Sequence, residues 1–259
     1  MTLDYNPRPS MGERINDLVD AALIAERDNE TPRDYLGASR LGVPCERALQ
    51  FEFAQAPKDD GGDFSGQVLR IFEIGHRLED LAIRWLRAAG IDLVTQKADG
   101  GSQRSHHQFG FSVAGGRIRG HVDGIIMEAP AALGLRTPAL WECKTMNAKN
   151  WRACAKDGVA VSKPVYAAQI AIYQAYMEPV VPGISEAPAL FTAINKDTAE
   201  LYHELVPFDA ALAQRMSDRA VRILQATDAG DLLPRIAQSR DFFECRFCAY
   251  ADRCWEQNK

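Results

Sequence analysis

The sequence lacks the features of a membrane-spanning or exported protein. None of its uninterrupted apolar runs is long enough to cross a bilayer. The N-terminal stretch 1–10 lacks the charged and then apolar pattern of a signal peptide. We therefore predict a cytoplasmic protein with no membrane partner. Disulfides are rare in that compartment, so its six cysteines are expected to be metal ligands or core residues.

An excess of positive charge is also missing. The chain has 30 Lys and Arg residues against 35 Asp and Glu, a formal net charge of −5. This balance argues against an overall cationic surface for nucleic acid, although local basic patches remain compatible with it. No internal repeat, low-complexity tract or interdomain linker is present. The 259 residues therefore predict a single domain, with a core at about 64–207 and a second region formed by about 37–56 and 208–259.

Apolar periodicity predicts a mixed α/β fold, in which a central mixed β-sheet is flanked by helices. A long helix is expected from Gln67 to Ala89, with a broad buried face that includes Phe72. A helix followed by three antiparallel strands ending at Thr145 is the expected order. Further elements are predicted at Ile91–Gln96, Gln108–Val113, Arg117–Met127, Pro164–Met177, Phe191–Asn195, Glu200–Val206 and Asp209–Ala226, with a Gly-Gly hairpin turn after Val113.

Two of the strand-like runs carry charges that a purely structural strand would avoid. Asp123 lies in the first, and Glu142 and Lys144 lie in the second, where side-chain alternation points them to one face and Cys143 to the other. Two carboxylates held together require a compensating cation, and oxygen ligands suit Mg²⁺ or Mn²⁺. The backbone carbonyl of Cys143 could reach the same metal. A solvated strand face is the alternative, weakened by the apolar residues around these charges.

The helix before the sheet offers a further ligand. Gly75 is unusual in a helix interior, where it costs about 1 kcal/mol relative to Ala unless another element packs close to it. Glu79 follows four residues later and is a candidate metal ligand. His76 is the competing candidate, since imidazole also binds Mn²⁺, and a surface role for Glu79 is the alternative.

Gln169 and Tyr173 are spaced i, i+4 on the next predicted helix and share a face. They are candidates for orienting the lysine or contacting a nucleic-acid backbone. The polar edge of a packed helix is the other interpretation.

The cysteines form a second group. The C-terminal region contains C-x2-C-x5-C, and a fourth candidate lies near the other end of the chain: Cys45, Cys245, Cys248 and Cys254. Closely spaced cysteines in a reducing compartment indicate a metal site. Spacing alone does not distinguish tetrahedral Zn²⁺ from a [4Fe–4S] cluster, and unrelated core cysteines are the remaining alternative. A shared metal would tie the N-terminal and C-terminal regions together.

The order of these motifs resembles the PD-(D/E)xK nuclease superfamily, and within it the RecB-type exonuclease branch with an iron–sulfur cluster. Similar members include CRISPR-adaptation exonucleases, helicase–nuclease subunits and phage exonucleases. The resemblance covers about 39–254 and depends on Gly75-x3-Glu79, His121-Val-Asp123-Gly, Glu142-Cys-Lys144, Gln169-x3-Tyr173 and the four cysteines. Val122 stands where the family name has proline.

The resemblance implies a restriction-endonuclease-like core and divalent-metal-dependent exonuclease hydrolysis of DNA by a metal-activated water. Asp123 and Glu142 would be metal ligands, together with Glu79 or His76, and Lys144 would act on the water. Gln169 and Tyr173 would position the substrate or the lysine. The four cysteines would hold a [4Fe–4S] cluster.

DNA is the implied partner, bound with little sequence specificity through its phosphates. Candidates for these contacts are Arg40, Arg47, Lys149, Arg152 and Lys163. The chain carries no helicase motor, so a helicase or recombination partner would be a separate chain. The implied settings are DNA recombination, repair and phage DNA processing. The alternative is a DNA-binding or assembly module that keeps the fold and cluster without cutting.

Overall fold

The computed structural model describes residues 9–95 and 109–256. Helices of the described part are α1 Met11–Asp28, α2 Glu46–Phe53, α3 Gly66–Ala88, α4 Ala148–Ser162, α5 Pro164–Met177, α6 Ala210–Ala229, α7 Phe243–Arg246 and α8 Ala251–Glu256. The strands are β1 Leu36–Gly37, β2 Asp92–Val94, β3 Gly110–Val113, β4 Ile118–His121, β5 Gly124–Glu128, β6 Ala139–Met146, β7 Ala189–Asn195 and β8 Leu201–Val206. Gln96 and Gln108, each the predicted end of a strand, lie outside the described residues.

The strands form two sheets. The larger sheet has the order β2-β5-β6-β7-β8, and the smaller has the order β1-β4-β3. Neighbouring strands of the larger sheet run antiparallel except for β6 and β7, which are parallel. In the smaller sheet β1 pairs with β4 in parallel and β3 with β4 antiparallel. The prediction of a mixed α/β fold with mixed sheets flanked by helices is confirmed.

Strand β6 lies at the centre of the larger sheet, with a hydrophobic layer on each face. On one face Trp141 packs with Leu93 and with residues of α3. On the other face Leu140 belongs to the layer that includes Ile170 of α5 and residues of α6. Because side chains alternate along a strand, Glu142 and Lys144 lie on the α5 face together with Leu140.

Local signals explain where the helices around the sheet begin. The Ser65 side chain accepts a hydrogen bond from the Val68 amide and caps α3, and Pro164 occupies the first turn of α5, where it costs no hydrogen bond. Helix α4 was not predicted. It is capped by Asn147 and interrupted at Gly158, whose φ is 76°. A glycine in that conformation interrupts the helical pattern, which explains why periodicity does not reveal α4.

The predicted strand Arg117–Met127 is wrong, because two strands in different sheets take its place. The chain leaves β4 at His121 and enters β5 at Gly124. Between them, the Val122 amide donates to the Phe109 carbonyl at 2.9 Å. The Asp123 side chain accepts from the Cys143 amide on β6. Asp123 therefore lies in the break between the sheets and not within a strand.

The loop between α2 and α3 is tied to the C-terminal region, because Asp59 accepts from the amides of Asp252 and Arg253 at 2.6 and 3.1 Å. One further expectation is corrected on α3. Phe72, placed on the buried face of α3, is 44% exposed. Within the described part of the chain, no helix is long and apolar enough to cross a membrane.

Candidate active site

The site is built on the last residues of β6. Glu142 is completely buried, with a side-chain exposure of 0%, whereas the Lys144 side chain is 22% exposed. Their side chains form an ion pair across one strand repeat. The Lys144 ammonium also donates to the Cys143 carbonyl at 3.2 Å. The lysine thus connects the buried carboxylate to solvent.

Strand register brings Asp123 to the same point. Gly124 pairs with Trp141, so the residue before Gly124 lies beside Glu142. The Asp123 carboxylate accepts from the Cys143 amide at 2.8 Å and lies 3.9 Å from the Lys144 nitrogen. The hydrogen bond from the Cys143 amide holds the Asp123 carboxylate beside β6, at the point where β5 no longer pairs with that strand. Asp123, Glu142 and Lys144, separated in the sequence, therefore form one charged cluster.

Gln169 of α5 completes the environment of Glu142. Its side-chain amide donates to Glu142 Oε1 at 2.6 Å. That oxygen therefore receives two donors, from Gln169 and Lys144. Glu142 Oε2 is buried and accepts no hydrogen bond in the described structure. A buried carboxylate oxygen without a partner is costly, and a cation bound there would remove the penalty.

The charges of the cluster affect each other. Burial, followed by the repulsion of Asp123, raises the pKa of Glu142 to about 8, although Lys144 opposes the shift. Burial disfavours the charged form of Lys144, but the attraction of Glu142 and Asp123 outweighs it and raises the lysine pKa well above its ordinary value. In this arrangement Lys144 is therefore held as an ammonium that donates hydrogen bonds.

Tyr173 lies one turn beyond Gln169 and is buried beside the cluster. Its ring packs edge-to-face on Phe111, with 5.5 Å between centroids. Burial, followed by the repulsion of Glu142, raises its pKa, so the phenol stays neutral. Its hydroxyl interacts with Ser39. The structure thus brings Tyr173 to the site as part of its wall.

Helix α3 approaches the cluster from the other side. Gly75 faces Thr145 of β6, where a side-chain carbon on the glycine would be 3.5 Å from the threonine hydroxyl. That distance is ordinary van der Waals contact, so an alanine would fit here and the approach of the helix to β6 does not require the glycine. Glu79, one turn later, raises the pKa values of Glu142 and Cys143 through its charge. His76 is exposed and does not contribute to these shifts.

The cluster contains fewer than three converging ligands. Among residues 9–95 and 109–256, no three His, Cys, Asp or Glu side chains are close enough together to hold a metal ion. Mg²⁺ is commonly held by one or two carboxylates, with waters and substrate phosphate completing its shell. The pair Asp123 and Glu142 matches that requirement, with Glu79 contributing charge from α3.

The four cysteines lie in one region but do not form a metal cage. All are reduced, and each is partly buried. Burial raises the pKa of the Cys248 thiol, and the charges of Cys45, Cys254 and Cys245 add to the shift. Arg47, of α2, donates to the Cys254 sulfur at 3.8 Å. Helix α2 and the C-terminal region are therefore adjacent here.

One site residue was missed in the sequence. The Lys144 nitrogen lies 5.5 Å from the centroid of the Tyr166 ring, a cation–π contact. Tyr166 precedes Gln169 by three residues and Tyr173 by seven on α5, so the three share one helical face. Extending that spacing backwards identifies Tyr166. In contrast, Arg47 is only 6% exposed and donates to backbone and sulfur acceptors, so it is unsuited to the predicted contact with DNA phosphate.

Fold and site together define a mixed α/β protein with a carboxylate pair and a lysine at the end of its central strand. No protein-family model matches the chain, and no curated protein is significantly similar to it in sequence. Solved structures do show similarity. The structure of SSO0001 is 14% identical, with a TM-score of 0.48, covering 92% of this chain and 94% of that one.

An alkaline exonuclease, LHK-Exo from Laribacter hongkongensis, is 14% identical with a TM-score of 0.47. The same exonuclease in complex with dAMP is 15% identical with a TM-score of 0.48. Each comparison covers 83% of this chain and 93% of the exonuclease. At these identities and scores, we derive the function from the site residues and not from the neighbours.

Proposed function

We propose that this chain is a divalent-metal-dependent DNA exonuclease that hydrolyses phosphodiester bonds at DNA ends. The observation that carries the proposal is the buried side chain of Glu142, which has one oxygen without a hydrogen-bond partner and the Lys144 ammonium on the other, while Asp123 lies near enough to act on it through its charge. A structural ion pair in a protein core has both carboxylate oxygens satisfied. This one keeps an acceptor available next to a second carboxylate, the arrangement expected of a cation site.

The residues present fit Mg²⁺ or Mn²⁺. Asp123 and Glu142 would hold the metal, with the Cys143 carbonyl and Glu79 as further oxygen donors around it. When bound, such a metal polarises the phosphate and lowers the pKa of a water near it. Oxygen donors of this kind suit these two ions better than soft metals.

Lys144 has the second part in the proposed reaction. Water adds to phosphorus and gives up a proton to solvent, the bond from phosphorus to the leaving oxygen breaks, and that oxygen takes up a proton from solvent. The Lys144 ammonium donates hydrogen bonds, so it orients the attacking water and stabilises the charge that develops on the phosphoryl oxygens. Gln169 holds Glu142 in place, and Tyr173 and Tyr166 form the wall that keeps the ammonium directed at the site.

The cysteine region adds a structural part to the proposal. Cys45, Cys245, Cys248 and Cys254 would hold a [4Fe–4S] cluster, with Zn²⁺ as the alternative. Their proximity supports this, because the other three cysteines all lie near enough to act on the Cys248 thiol. The cluster would fasten α2 to the C-terminal region. DNA ends produced in recombination, repair or phage DNA processing are the proposed substrates, with any unwinding supplied by a separate chain.

The test uses end-labelled linear DNA and the same DNA as a closed circle, each with Mn²⁺, Mg²⁺ or a chelator. Wild-type protein is expected to release labelled nucleotides from the linear DNA only with metal. Asp123→Asn and Lys144→Ala are expected to lower that rate at least 100-fold, about the contribution of a preorganised charged group. Lys156→Ala is the matched control, because its side chain is 82% exposed on α4, and it is expected to cut normally.

Cleavage that survives Asp123→Asn or Lys144→Ala would refute the proposed site. DNA binding by the wild type without cleavage in either metal would favour a non-cleaving DNA-binding module with the same fold. Thermal unfolding of each variant, followed by circular dichroism, separates loss of chemistry from loss of folding.

A further inference from the structure

Helix α1 turns a polar side to its own domain and an apolar side to solvent. Asp20 faces α3, where it pairs with Arg70 and lies against Gly66. Leu18, on the other side of the helix, is 72% exposed, and no residue of α1 is buried. A helix on the surface of a domain normally has the opposite arrangement, with its apolar stripe toward the core. The inverted arrangement is the one expected of a helix that binds a partner.

The exposed apolar residues of α1 follow a regular spacing. They recur at alternating intervals of four and three residues: Met11, Ile15, Leu18, Ala22 and Ala25. At about 100° per residue, this stripe is centred about 180° from Asp20 around the helix axis, so it points directly away from α3. Alternating intervals of four and three are typical of helices that pair along their length.

The sizes of the stripe residues fit a second α1 that runs antiparallel to the first. In the register that packs Leu18 against Ala22 of the partner subunit, Ile15 packs against Ala25 of the partner subunit. A two-fold axis repeats both contacts, because the same patch of each copy forms the interface. Large side chains therefore meet small ones along the pair, which lets the two helices approach closely.

Two charges beside the stripe support the same register. Arg14 lies near the positive end of the helix dipole and Asp28 near its negative end, so each is unfavourably placed within its own helix. Both side chains are exposed, and neither forms an ion pair with another residue of the described part of the chain. The antiparallel register puts Arg14 beside Asp28 of the partner subunit. A parallel pair would put it beside the apolar Val19 of the partner subunit.

We propose that this chain forms a homodimer through antiparallel pairing of α1, with each Arg14 beside Asp28 of the partner subunit. Charges that oppose the dipole within one helix then compensate each other between two helices. An unrelated helix would match only the apolar stripe, whereas a second copy matches the stripe and both charges. The dimer does not depend on the proposed hydrolysis.

The interface is small and lies away from the candidate active site. Helix α1 has 18 residues and is about 27 Å long, so the helix pair buries less than the roughly 800 Å² per partner of a standard stable complex. A weak dimer in the micromolar range is therefore expected. Gly66 contacts α1 and Gly75 faces β6 from opposite sides of α3, so pairing leaves the site accessible.

Sedimentation equilibrium of the full chain at low salt, over a wide range of protein concentrations, measures the dimer. The wild type should follow a monomer–dimer equilibrium. Leu18→Asp should raise the dissociation constant at least tenfold, because it removes a large apolar contact and places a charge in the interface. Val161→Asp is the matched control and should dimerise like the wild type, because Val161 of α4 is also 72% exposed but lies outside the interface.

Exchange of the two charges tests the antiparallel register. Arg14→Asp and Asp28→Arg each replace two attractive contacts with two repulsive ones, so each should weaken dimerisation about tenfold at low salt and less at high salt. The double variant that carries both changes restores the contacts with exchanged signs and should recover the wild-type dissociation constant. Asp17→Arg makes an equal change of charge on the exposed surface of α1 outside the stripe, and should leave the constant unchanged.

A wild type that is monomeric at every concentration, or a dimer unaffected by Leu18→Asp, would overturn the proposal. A double variant that dimerises as weakly as the single variants would also contradict it, because Arg14 would then not face Asp28 of the partner subunit. Recovery by the double variant cannot arise from a loss of folding, so it distinguishes pairing of α1 from an effect on stability.

Discussion

Two buried glutamines on α5 make it possible to distinguish a substitution that affects cleavage from one that affects only the stability of the fold. Gln169 donates to Glu142 at 2.6 Å. Gln174 is five residues later and donates to the backbone carbonyls of Ile184 and Ala187 at 3.2 and 2.9 Å. Both are almost inaccessible, with exposures of 6% and 0%. Replacing each with leucine makes similar changes in volume and polarity at positions that serve different purposes.

The two substitutions should affect different measurements. Gln169→Leu leaves Glu142 with Lys144 as its only donor, and loss of such a supporting group typically costs 10- to 100-fold in metal affinity or activity. We expect the Mn²⁺ concentration for half-maximal cleavage to rise by that factor. Gln174→Leu leaves two backbone carbonyls without donors and should lower the free energy of unfolding by about 2 kcal/mol or more. Cleavage per folded molecule should stay within about twofold of wild type in that variant, because Gln174 makes no contact with the site.

The assay combines Mn²⁺ titration of DNA cleavage with urea unfolding for both variants. A Gln169→Leu variant with an unchanged Mn²⁺ requirement would refute the view that this amide holds a metal-binding carboxylate. Equal losses of activity in both variants, in proportion to their stability, would show that the glutamines act only through folding.

Four other substitutions test three separate parts of the molecule. Glu79→Ala should raise the Mn²⁺ requirement of cleavage, whereas His76→Ala should leave it unchanged; the reverse would make the histidine the helix ligand. Anaerobically purified protein should be brown, and Cys248→Ser should lose the visible absorption, while colourless protein containing zinc would contradict an iron–sulfur cluster. Glu178 has a lowered pKa, chiefly through the hydrogen bond from the Gly183 amide, so it stabilises the fold above its unfolded pKa and loses that effect as pH falls. Glu178→Gln should therefore lower the free energy of unfolding by about 1 kcal/mol at pH 7 and by less near pH 3, measured by urea unfolding, and an equal loss at both pH values would refute this.

The relation of Glu142 and Lys144 was predictable because a strand repeat of two residues is independent of tertiary context. The position of Asp123 was predictable only in outline. Its approach to Glu142 depends on the register of β5 against β6, and the sheet change at Val122 depends on the contact of Val122 with Phe109. Those are contacts between distant parts of the chain, which periodicity does not encode.

For α3, too, local sequence signals predicted the helix itself but not what packs against it. Its helical period predicted the element to within one residue at each end, since the broad apolar stripe and Ser65 cap are local. The same stripe predicted a buried Phe72. That prediction is wrong because burial depends on what packs against the helix. Helix α1 covers the side of α3 that carries Arg70 and leaves the side that carries Phe72 exposed. The sequence also left Glu79 and His76 open as the helix ligand, because the orientation of α3 against β6 is a tertiary feature; in the structure Glu79 is the one that acts on Glu142 through its charge.

The central claim is that the Glu142 oxygen without a hydrogen-bond partner is part of a divalent-metal site that includes Asp123. Electron paramagnetic resonance of free Mn²⁺ measures this directly in protein mixed with a non-cleavable phosphorothioate oligonucleotide. The wild type should bind Mn²⁺ at this site, and Glu142→Gln should weaken that binding at least tenfold, since it removes the charge and keeps the shape. Equal Mn²⁺ binding by the wild type and Glu142→Gln would contradict the account.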